Sequence, residues 1–340
     1  MPLENLTGKP LPADAARRSL LGSMAREGFE TLGDDVLERF LEKHRVRHTS
    51  GIHRKLASAL RQETGVEAVL FVSLELFEEE MFPKVALSAR LVSAGDDLST
   101  LWADGVGISG NDHPGFLLLG LVYDVGEIWD NAKRDLIDSL KGALSGKTDS
   151  AAGKAAKKLS PRSFYGAPLK ISTGRRKISV AVLPFENDSM RRNAGEIMAL
   201  HFTRELFRSG DIEVVEAGEV RQILLQSRTI MEEGLSLPQA DILKAGLDVD
   251  LLVTGIVTEY RDSSGPGGVP KVEFTTRIFN TKSRQVVWSS TSYNKGDDGV
   301  FFFDHGRNNV AHEMASGMVR SVVAKMHSGG NAKKDIGGTR

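Results

Sequence analysis

The sequence contains no cysteine among its 340 residues, which excludes disulfide bonds, thiolate zinc sites and a cysteine nucleophile. It also lacks a long apolar run: the longest, Phe116 to Val125, is far shorter than the ~18–20 residues of a membrane-spanning helix. The hydrophobic and charged fractions, 40% and 26%, are those of a globular protein. They exclude disorder throughout the chain, collagen and coiled coil. At ~150 residues per domain, the length predicts about two domains.

Motifs of catalysis and cofactor binding are absent as well. The sequence has no Gly-x-Ser-x-Gly elbow. The segment Gly105–Gly110 fits the Gly-x-Gly-x-x-Gly pattern but lacks the βαβ context of a dinucleotide site. His305, His312 and Glu313 do not have the His-Glu-x-x-His spacing of zinc proteases, and we interpret them as residues at the end of a helix. We therefore expect no catalytic residues, no cofactor and no metal, and we expect that the protein is not an enzyme.

Three histidines, His44, His48 and His53, lie close together in the sequence. The first two have the i,i+4 spacing that could hold a metal ion on one face of a helix. However, the stretch from Lys43 to Lys55 contains several lysines and arginines and no carboxylate, so it would repel a cation. We interpret this stretch as a solvated basic surface.

Two blocks of about 140 and 150 residues carry an ordered series of matching segments, which is the signature of an internal repeat. The offset between matching residues stays between 182 and 187. The matches are Pro2–Asn5 with Pro184–Asn187, Val66–Leu70 with Val249–Val253, Lys84–Val85 with Lys271–Val272, Arg90–Leu91 with Arg277–Ile278, Trp102 with Trp288, and Gly115 with Gly299. An ordered series of this length indicates two copies of one unit.

The second block predicts the order β-α-β-α-α-β-β-β-α. A buried strand, Ile178–Leu183, precedes helical spacing from Ile197 to Phe207. Ser236–Gln239 has the spacing of a capping box and opens another helix. Three strands lie between Leu251 and Tyr293, and Val310–Met326 forms the last helix. This order predicts an α/β (α+β) fold in which each repeat is a mixed sheet layered with helices.

Four segments follow from this pattern. Residues 1–140 form the first repeat, and residues 141–177 form a basic linker with ten lysines or arginines and a single acid. Residues 178–327 form the second repeat, and residues 328–340 form a disordered tail rich in glycine and lysine. The opening strand of the second repeat, Ile178–Leu183, has no counterpart before Pro2. We therefore expect that the sequence is trimmed at its N-terminus or that its true start lies upstream of Met1, where any targeting signal would lie.

Four segments of the second block resemble the curli assembly/transport lipoprotein (CsgG-like) superfamily: Lys177–Asn187, Ile212–Val215, Val249–Val257 and Val286–Trp288. They are also similar to the N-terminal domain of the TolB translocation protein and to activator lipoproteins of penicillin-binding proteins. The resemblance implies an anticodon-binding-domain-like fold. It also implies a non-catalytic assembly or accessory protein of the bacterial envelope, in the periplasm and anchored to the outer membrane by a lipid on residues outside this chain.

The sequence departs from the curli pore in the length of its strand insertions. A membrane hairpin needs about twenty residues of alternating pattern, whereas the candidate insertions, Asp262–Pro270 and Glu78–Pro83, are much shorter. We therefore expect that this chain forms no pore by itself. The expected partners are envelope proteins or another copy of the chain, with anionic lipid or a cell-wall polymer at the basic linker. The alternative is a nucleic-acid-associated module that uses this linker, although no aromatic residues alternate with its lysines.

Two pairs of matching turns are the candidate partner surface. Asn5 and Asn187 each follow a short strand at the same place in the two repeats. Two acidic turns, Asn111–Asp112 and Asp297–Asp298, also occur at the same place, after the last strand and before the final helix. Asparagine after a strand is explained equally well by turn geometry, so both interpretations stay open for Asn5 and Asn187.

Overall fold

The computed structural model describes residues 1–112, 120–146, 159–169, 177–227, 235–263, 265, 268–298 and 307–328. Most of the predicted linker, the predicted tail beyond residue 328, His305 and the matching segments that begin at Gly115 and Gly299 lie outside these residues. Within the described part of the chain, no helix is both long and apolar enough to cross a membrane.

The first half of the chain combines one four-stranded sheet with four helices. Its elements are β1 (Glu4–Asn5), α1 (Ala13–Arg26), α2 (Asp34–Lys43), α3 (Arg54–Thr64), β2 (Ala68–Glu78), β3 (Lys84–Ser93), β4 (Thr100–Ser109) and α4 (Val125–Leu144). The strand order is β1-β2-β3-β4. The short β1 pairs in parallel with β2, and the other neighbours are antiparallel.

The second half combines a seven-stranded sheet with four helices. Its elements are β5 (Ser163–Gly166), β6 (Ile178–Val182), β7 (Glu186–Asn187), α5 (Ala194–Arg208), β8 (Ile212–Val214), α6 (Ala217–Gln226), α7 (Leu237–Leu247), β9 (Leu251–Arg261), β10 (Lys271–Asn280), β11 (Gln285–Lys295) and α8 (Ala311–Ser328). The order is β5-β11-β10-β9-β6-β8, and β7 pairs with β9. Both sheets mix parallel and antiparallel pairs and are layered with helices, which confirms the predicted fold class.

From β1 in the first half and from β7 in the second, the described helices and strands follow the same order, except that β8 has no counterpart in the first half; β5 and β6 precede this order in the second half. In the first half, Glu4 of β1 lies opposite Ser73 of β2, and in the second, Glu186 of β7 lies opposite Ile256 of β9. The pairing of β3 with β4 shifts register once, and so does the pairing of β10 with β11. That the halves are copies of one unit stays a prediction.

Apolar residues at alternate strand positions place the main cores, since successive side chains of a strand point to opposite faces. On one face of the first sheet, Leu20 of α1 and Ile128 of α4 pack with Leu74 and Leu87. On one face of the second sheet, α5 and α8 pack around Trp288, which is fully buried. Two helices thus cover one face of each sheet.

Two smaller cores cover one end of the opposite sheet faces. In the first half, Phe40 of α2 and Leu60 of α3 pack on Phe71 of β2. In the second half, α6 and α7 pack on Leu183 and Leu252. The rest of each opposite face remains available for other contacts.

A strand within the predicted linker was not expected from the sequence. Leu159 is buried in the core of the second half, and Ser163–Gly166 pairs with β11 at the edge of its sheet. The segment is only four residues long, and although Phe164 and Tyr165 favour strands, so short a run does not predict a strand by itself. The neighbouring strand supplies the hydrogen bonds that make it a strand.

The predicted capping box at the start of α7 is confirmed. The Ser236 side chain accepts a hydrogen bond from the Gln239 backbone N–H, and the Gln239 side chain accepts one from the Ser236 N–H. We expect Ser236→Ala to lower the free energy of unfolding by about 1 kcal/mol, because the first-turn amides lose their acceptor. Urea unfolding measures the change. Ser236→Asp keeps an acceptor and should be nearly neutral, so an equal loss in both variants would contradict this role.

Candidate functional site

The two halves of the chain meet on the part of the first sheet that α1 to α4 leave uncovered. Its outward residues are small or polar, among them Ser88, Gly105 and Gly107, and helices α5 and α8 of the second half lie against them. A Cβ at Gly105 would overlap the Arg204 guanidinium, and one at Gly107 would lie 3.2 Å from the His312 side chain. Glycine at these positions lets the helices approach the strands closely.

At the centre of this surface lies a buried polar cluster. Glu75 of β2 contacts two histidines of the second half: its Oε2 lies 2.7 Å from His312 Nδ1 and 3.9 Å from His201 Nε2. The two imidazole centroids are 4.7 Å apart. Ser88 Oγ donates a hydrogen bond to the other carboxylate oxygen. None of the three ionisable side chains is more than 2% exposed.

The guanidinium of Arg204 fixes the protons of both histidines. Its Nη1 lies 3.4 Å from His312 Nε2, and its Nη2 lies 3.4 Å from His201 Nδ1. A guanidinium can only donate, so these two ring nitrogens must accept. His312 therefore carries its proton on Nδ1 and donates it to Glu75. His201 carries its proton on Nε2, which faces Glu75 and the Tyr260 hydroxyl, 3.5 Å away. His201 is neutral in this arrangement, because its Nδ1 accepts from Arg204.

The electrostatics of the cluster follow from burial and from these contacts. Burial by itself raises the pKa of Glu75, but the attraction and hydrogen bond of His312, with His201 and Ser88, outweigh it and lower this pKa to about 2. Burial lowers the pKa of His201 well below 6.5, and His312 and Arg204 act in the same direction against Glu75. Burial also raises the pKa of Tyr260, so its hydroxyl stays neutral.

Glu75, His201 and His312 are close enough to share a metal ion, since one ligand atom of each lies within 4.8 Å of the others. A metal-bound histidine carries a proton on its other nitrogen and needs an acceptor there. Here the other nitrogens face the Arg204 guanidinium, which would repel both the added proton and the metal. The donor set therefore fits a proton-linked cluster and does not fit a metal ion.

A second buried ion pair joins the halves at the N-terminus of α6. Glu216 accepts from Arg90 Nε at 3.1 Å and Nη2 at 2.9 Å, and its Oε1 also accepts from the backbone N–H of Ile52. Both charged side chains are at most 5% exposed. Gly51 and Gly218 cross at this point, where a Cβ at Gly51 would lie 2.7 Å from the Gly218 nitrogen. The pair and the glycine crossing together fix how the halves pack.

Asn5 and Asn187 occupy equivalent turns with the same internal hydrogen bonds. The Asn5 carboxamide oxygen accepts from the Thr7 N–H, and its nitrogen donates to the Lys9 carbonyl at 2.8 Å. The Asn187 side chain bonds the Ser189 N–H and the Arg191 carbonyl in the same way. Both asparagines therefore have the turn role described for Asx motifs. Their role as a partner surface stays a prediction.

The two acidic turns also share their geometry, but their surroundings differ. Asp112 accepts from the Ser109 N–H, and Asp298 accepts from the Lys295 N–H, each at 2.7 Å. Asn111–Asp112 takes part in the contact between the halves, because Asn309 donates to Asp112 at 2.9 Å. In the other turn, Asp297 is exposed. A partner role for these turns stays a prediction.

The sequence by itself did not identify Glu75, His201 or Arg204 as site residues. It indicated only the end of a helix for His312 and Glu313, whereas in the structure both contact the first half of the chain. Glu313 accepts the Gly107 N–H at 3.0 Å, while His312 belongs to the buried cluster. The available signal was a carboxylate inside the apolar strand Ala68–Glu78. In the basic stretch, His44 contacts Glu63, and the His53 ring accepts the Leu56 N–H as a helix cap.

The outer edges of β4 and β11 already have hydrogen-bond partners at several positions. At the edge of the first sheet, the N–H of Gly107 donates to Glu313 and that of Ser109 donates to Asp112. In the second sheet, β5 covers β11 from Trp288 to Thr291. Amides that already have acceptors cannot pair with an added strand. Docking by strand addition at these positions is therefore disfavoured.

The outward face of the second sheet corresponds in position to the contact surface of the first sheet, but it carries different residues. Thr258 stands at the position of Glu75 and is exposed, as are Arg277 and Tyr165 in neighbouring strands. Thr291 and Tyr293 stand where the first sheet has Gly105 and Gly107. These side chains would hold a helix layer farther from the strands, so this face cannot repeat the contact between the halves.

Comparisons with known proteins give similarities to solved structures. No protein-family model and no curated protein matches the chain. PelC from Paraburkholderia phytofirmans, a dodecamer, is 16% identical over 48% of this chain and 96% of its own, with a TM-score of 0.34. The lipoprotein GNA1162 from Neisseria meningitidis is 20% identical over 35% and 82%, with a TM-score of 0.29. The LpoB C-terminal domain from Salmonella enterica is 13% identical over 36% and 85%, with a TM-score of 0.28. The expected relationship to the curli assembly superfamily stays a prediction.

The depressed pKa of Glu75 predicts a defined acid sensitivity. A carboxyl whose folded pKa lies below its unfolded value stabilises the fold above about pH 4.5, and this stability is lost as the pH falls towards about 2. We expect the free energy of unfolding to fall by up to ~1.4 kcal/mol per pH unit in this range from Glu75 alone. Denaturant unfolding across pH 5 to 2 measures it. Glu75→Gln, although less stable, should show a shallower slope, and an unchanged slope would contradict the assignment.

Proposed function

We propose that this protein is a non-catalytic accessory binding module of the bacterial cell envelope. The observation that carries the proposal is the position of Glu75, His201 and His312. These side chains have the chemistry of an acid–base site, but they are sealed between the two halves of the chain. A catalytic group must reach its substrate directly or through one water. The cluster therefore serves to hold the halves together.

The envelope part of the proposal is supported by the sequence. Segments Lys177–Asn187 and Val249–Val257 resemble the curli assembly superfamily, and they form β6, β7 and β9 at the centre of the second sheet. Membership in that superfamily, a lipid anchor upstream of Met1 and a place in the periplasm at the outer membrane belong to this proposal.

The proposed partner surface is the outward face of the second sheet, together with the Asn187 turn and Asp297–Asp298. The Asn5 turn, which follows β1 of the first sheet, is proposed as a separate contact. Tyr165 is 73% exposed on this side, and exposed aromatic residues are common at protein interfaces. An envelope protein is the proposed partner. Self-association by the mode that joins the halves is disfavoured, because Tyr293 stands where that contact needs a glycine.

Localisation is the first test. The natural gene would be expressed in its own host with labelled palmitate, and membranes and soluble fractions would then be separated. We expect label in this protein and recovery with the outer membrane. An unlabelled protein in the cytosol would overturn the proposal. The nucleic-acid alternative would then be tested by salt-dependent RNA binding, since a basic linker binds phosphate groups through its charge.

The partner surface has a separate test. A photo-crosslinking amino acid at Thr258 should capture an envelope protein in intact cells, whereas the same group at the exposed Glu38 on α2 should not. Crosslinks of equal yield and identity at both positions, or none at Thr258, would contradict this surface while leaving the localisation result intact.

A further inference from the structure

We propose that His201 is an acid-sensitive latch between the two halves of the chain: protonation of its imidazole releases α5 and α8 from the first sheet. This inference is independent of the proposed function. It rests on the geometry of the cluster that closes the contact between the halves.

A second proton on His201 would point at a cation. Its Nδ1 accepts from Arg204 Nη2 at 3.4 Å, and the Ser316 hydroxyl, which can donate or accept, lies 3.3 Å away. The hydroxyl itself accepts from Arg204. A proton on Nδ1 would therefore meet the guanidinium directly, within a fully buried site where charge is little screened.

The carboxylate that faces His201 Nε2 already accepts two hydrogen bonds. Glu75 accepts from His312 at 2.7 Å and from Ser88, whereas His201 Nε2 lies 3.9 Å away. Glu75 is the ionisable group that the first half contributes to the cluster. A charge on His201 is therefore placed at the contact between the halves, where separation of α5 and α8 from β2 would let water reach it.

The other charged groups around His201 include more cations than carboxylates. Those on its own helix, on α8, on the strands and on the loop before α5 are Arg204, Glu205, Arg208, Glu313, Arg320, Asp104 and Arg191, with the neutral Tyr260 beside them. Glu205 accepts from Arg204 and Arg320, and Asp104 accepts from Arg208 at 2.6 Å. Glu313 accepts the Gly107 N–H. An imidazolium would therefore add to an excess of positive charge among these groups.

The direction of the pH effect follows from this environment. A histidine held neutral in the closed form contributes its full stability above pH 6.5, and the contribution is lost as the pH falls below 6.5. In this range each pH unit shifts the equilibrium between closed and open forms by up to about tenfold for one proton. Between pH 6.5 and 4.5 the contribution of Glu75 does not change, so a pH effect in this range separates His201 from Glu75.

The test is residue-resolved hydrogen exchange of the full chain between pH 7.5 and 5, with each rate divided by its intrinsic rate at the same pH. The reporter is the Gly107 amide, which donates across the contact to Glu313. We expect its protection to fall up to tenfold per pH unit below 6.5 in the wild type and in the control His48→Gln, where the replaced histidine is exposed. In His201→Gln the protection should not change with pH. A flat wild-type profile, or an unchanged slope in His201→Gln, would overturn the proposal.

A second measurement covers the case in which His201→Gln does not fold. The ¹⁵N shifts of the wild-type imidazoles should report a neutral His201, protonated on Nε2, until the pH at which Gly107 loses protection. A His201 that titrates while Gly107 stays protected would refute the latch. So would stoichiometric zinc binding that shifts the His201 and His312 nitrogens, because the cluster would then be a metal site.

Discussion

Glu216→Ala is expected to lower the free energy of unfolding by about 3–5 kcal/mol, the cost of leaving a buried partner charge uncompensated. The substitution removes both carboxylate acceptors of the Arg90 guanidinium, which is only 5% exposed, and also the acceptor of the Ile52 N–H. The Ser50 carbonyl still accepts from Arg90 but does not compensate its charge. Burial opposes the charge on Arg90, and its pKa stays raised because Glu216 lies beside it. Chemical unfolding followed by tryptophan fluorescence measures the loss.

Two variants show whether the effect belongs to the ion pair. Glu213→Ala removes an exposed carboxylate on β8 and should change stability by less than about 0.5 kcal/mol. The double variant Arg90→Met, Glu216→Met replaces both charges with apolar side chains and should recover most of the loss. If the double variant were less stable than Glu216→Ala alone, the uncompensated charge could not be the cause.

Gly218→Ala is expected to destabilise the protein by about 3 kcal/mol, at the upper end for an overpacked site. A Cβ at this position would overlap the backbone of Ile52, and a backbone segment cannot move aside as the end of a flexible side chain can. The N-terminus of α6 would have to move away from the loop before α3, which would also lengthen the bonds between Arg90 and Glu216. Denaturant unfolding measures the loss, and protection of the Ile52 amide should fall with it.

Gly22→Ala on α1 is the matched control. A Cβ at Gly22 has no atom within 4 Å, and the residue is exposed on its helix. Alanine should therefore stabilise the helix by roughly 0.5–1 kcal/mol through its higher propensity. A loss in both variants, or a gain in Gly218→Ala, would show that the close approach of α6 to Ile52 is not a constraint.

Local patterns account for the elements that the sequence identified. The mostly apolar run at Ile178–Leu183 predicts β6, and the spacing of Ser236 and Gln239 predicts the start of α7. Each depends on contacts within a few residues or on a face that must be buried. The same reasoning failed for Ser163–Gly166, because its strand conformation depends on β11, more than a hundred residues away.

The buried cluster shows the limit of sequence reasoning on sites. Glu75 and His312 are 237 positions apart, and His201 sits in a helix whose stripe of apolar residues looked like ordinary core. A lone charged residue in an apolar segment has no partner that can be read from the sequence. Its partners become visible only when the two halves are packed together.

The sequence by itself determined the composition class, the order of most helices and strands in the second half, the mixed α/β fold and the matching turns at Asn5 and Asn187. These features depend on local hydrogen bonds and on which residues must be buried. Only the tertiary structure decided that one sheet face is covered by α5 and α8 while its counterpart beside Thr258 is exposed. That choice depends on glycine at 105, 107 and 218 and on charges that meet across the contact between the halves.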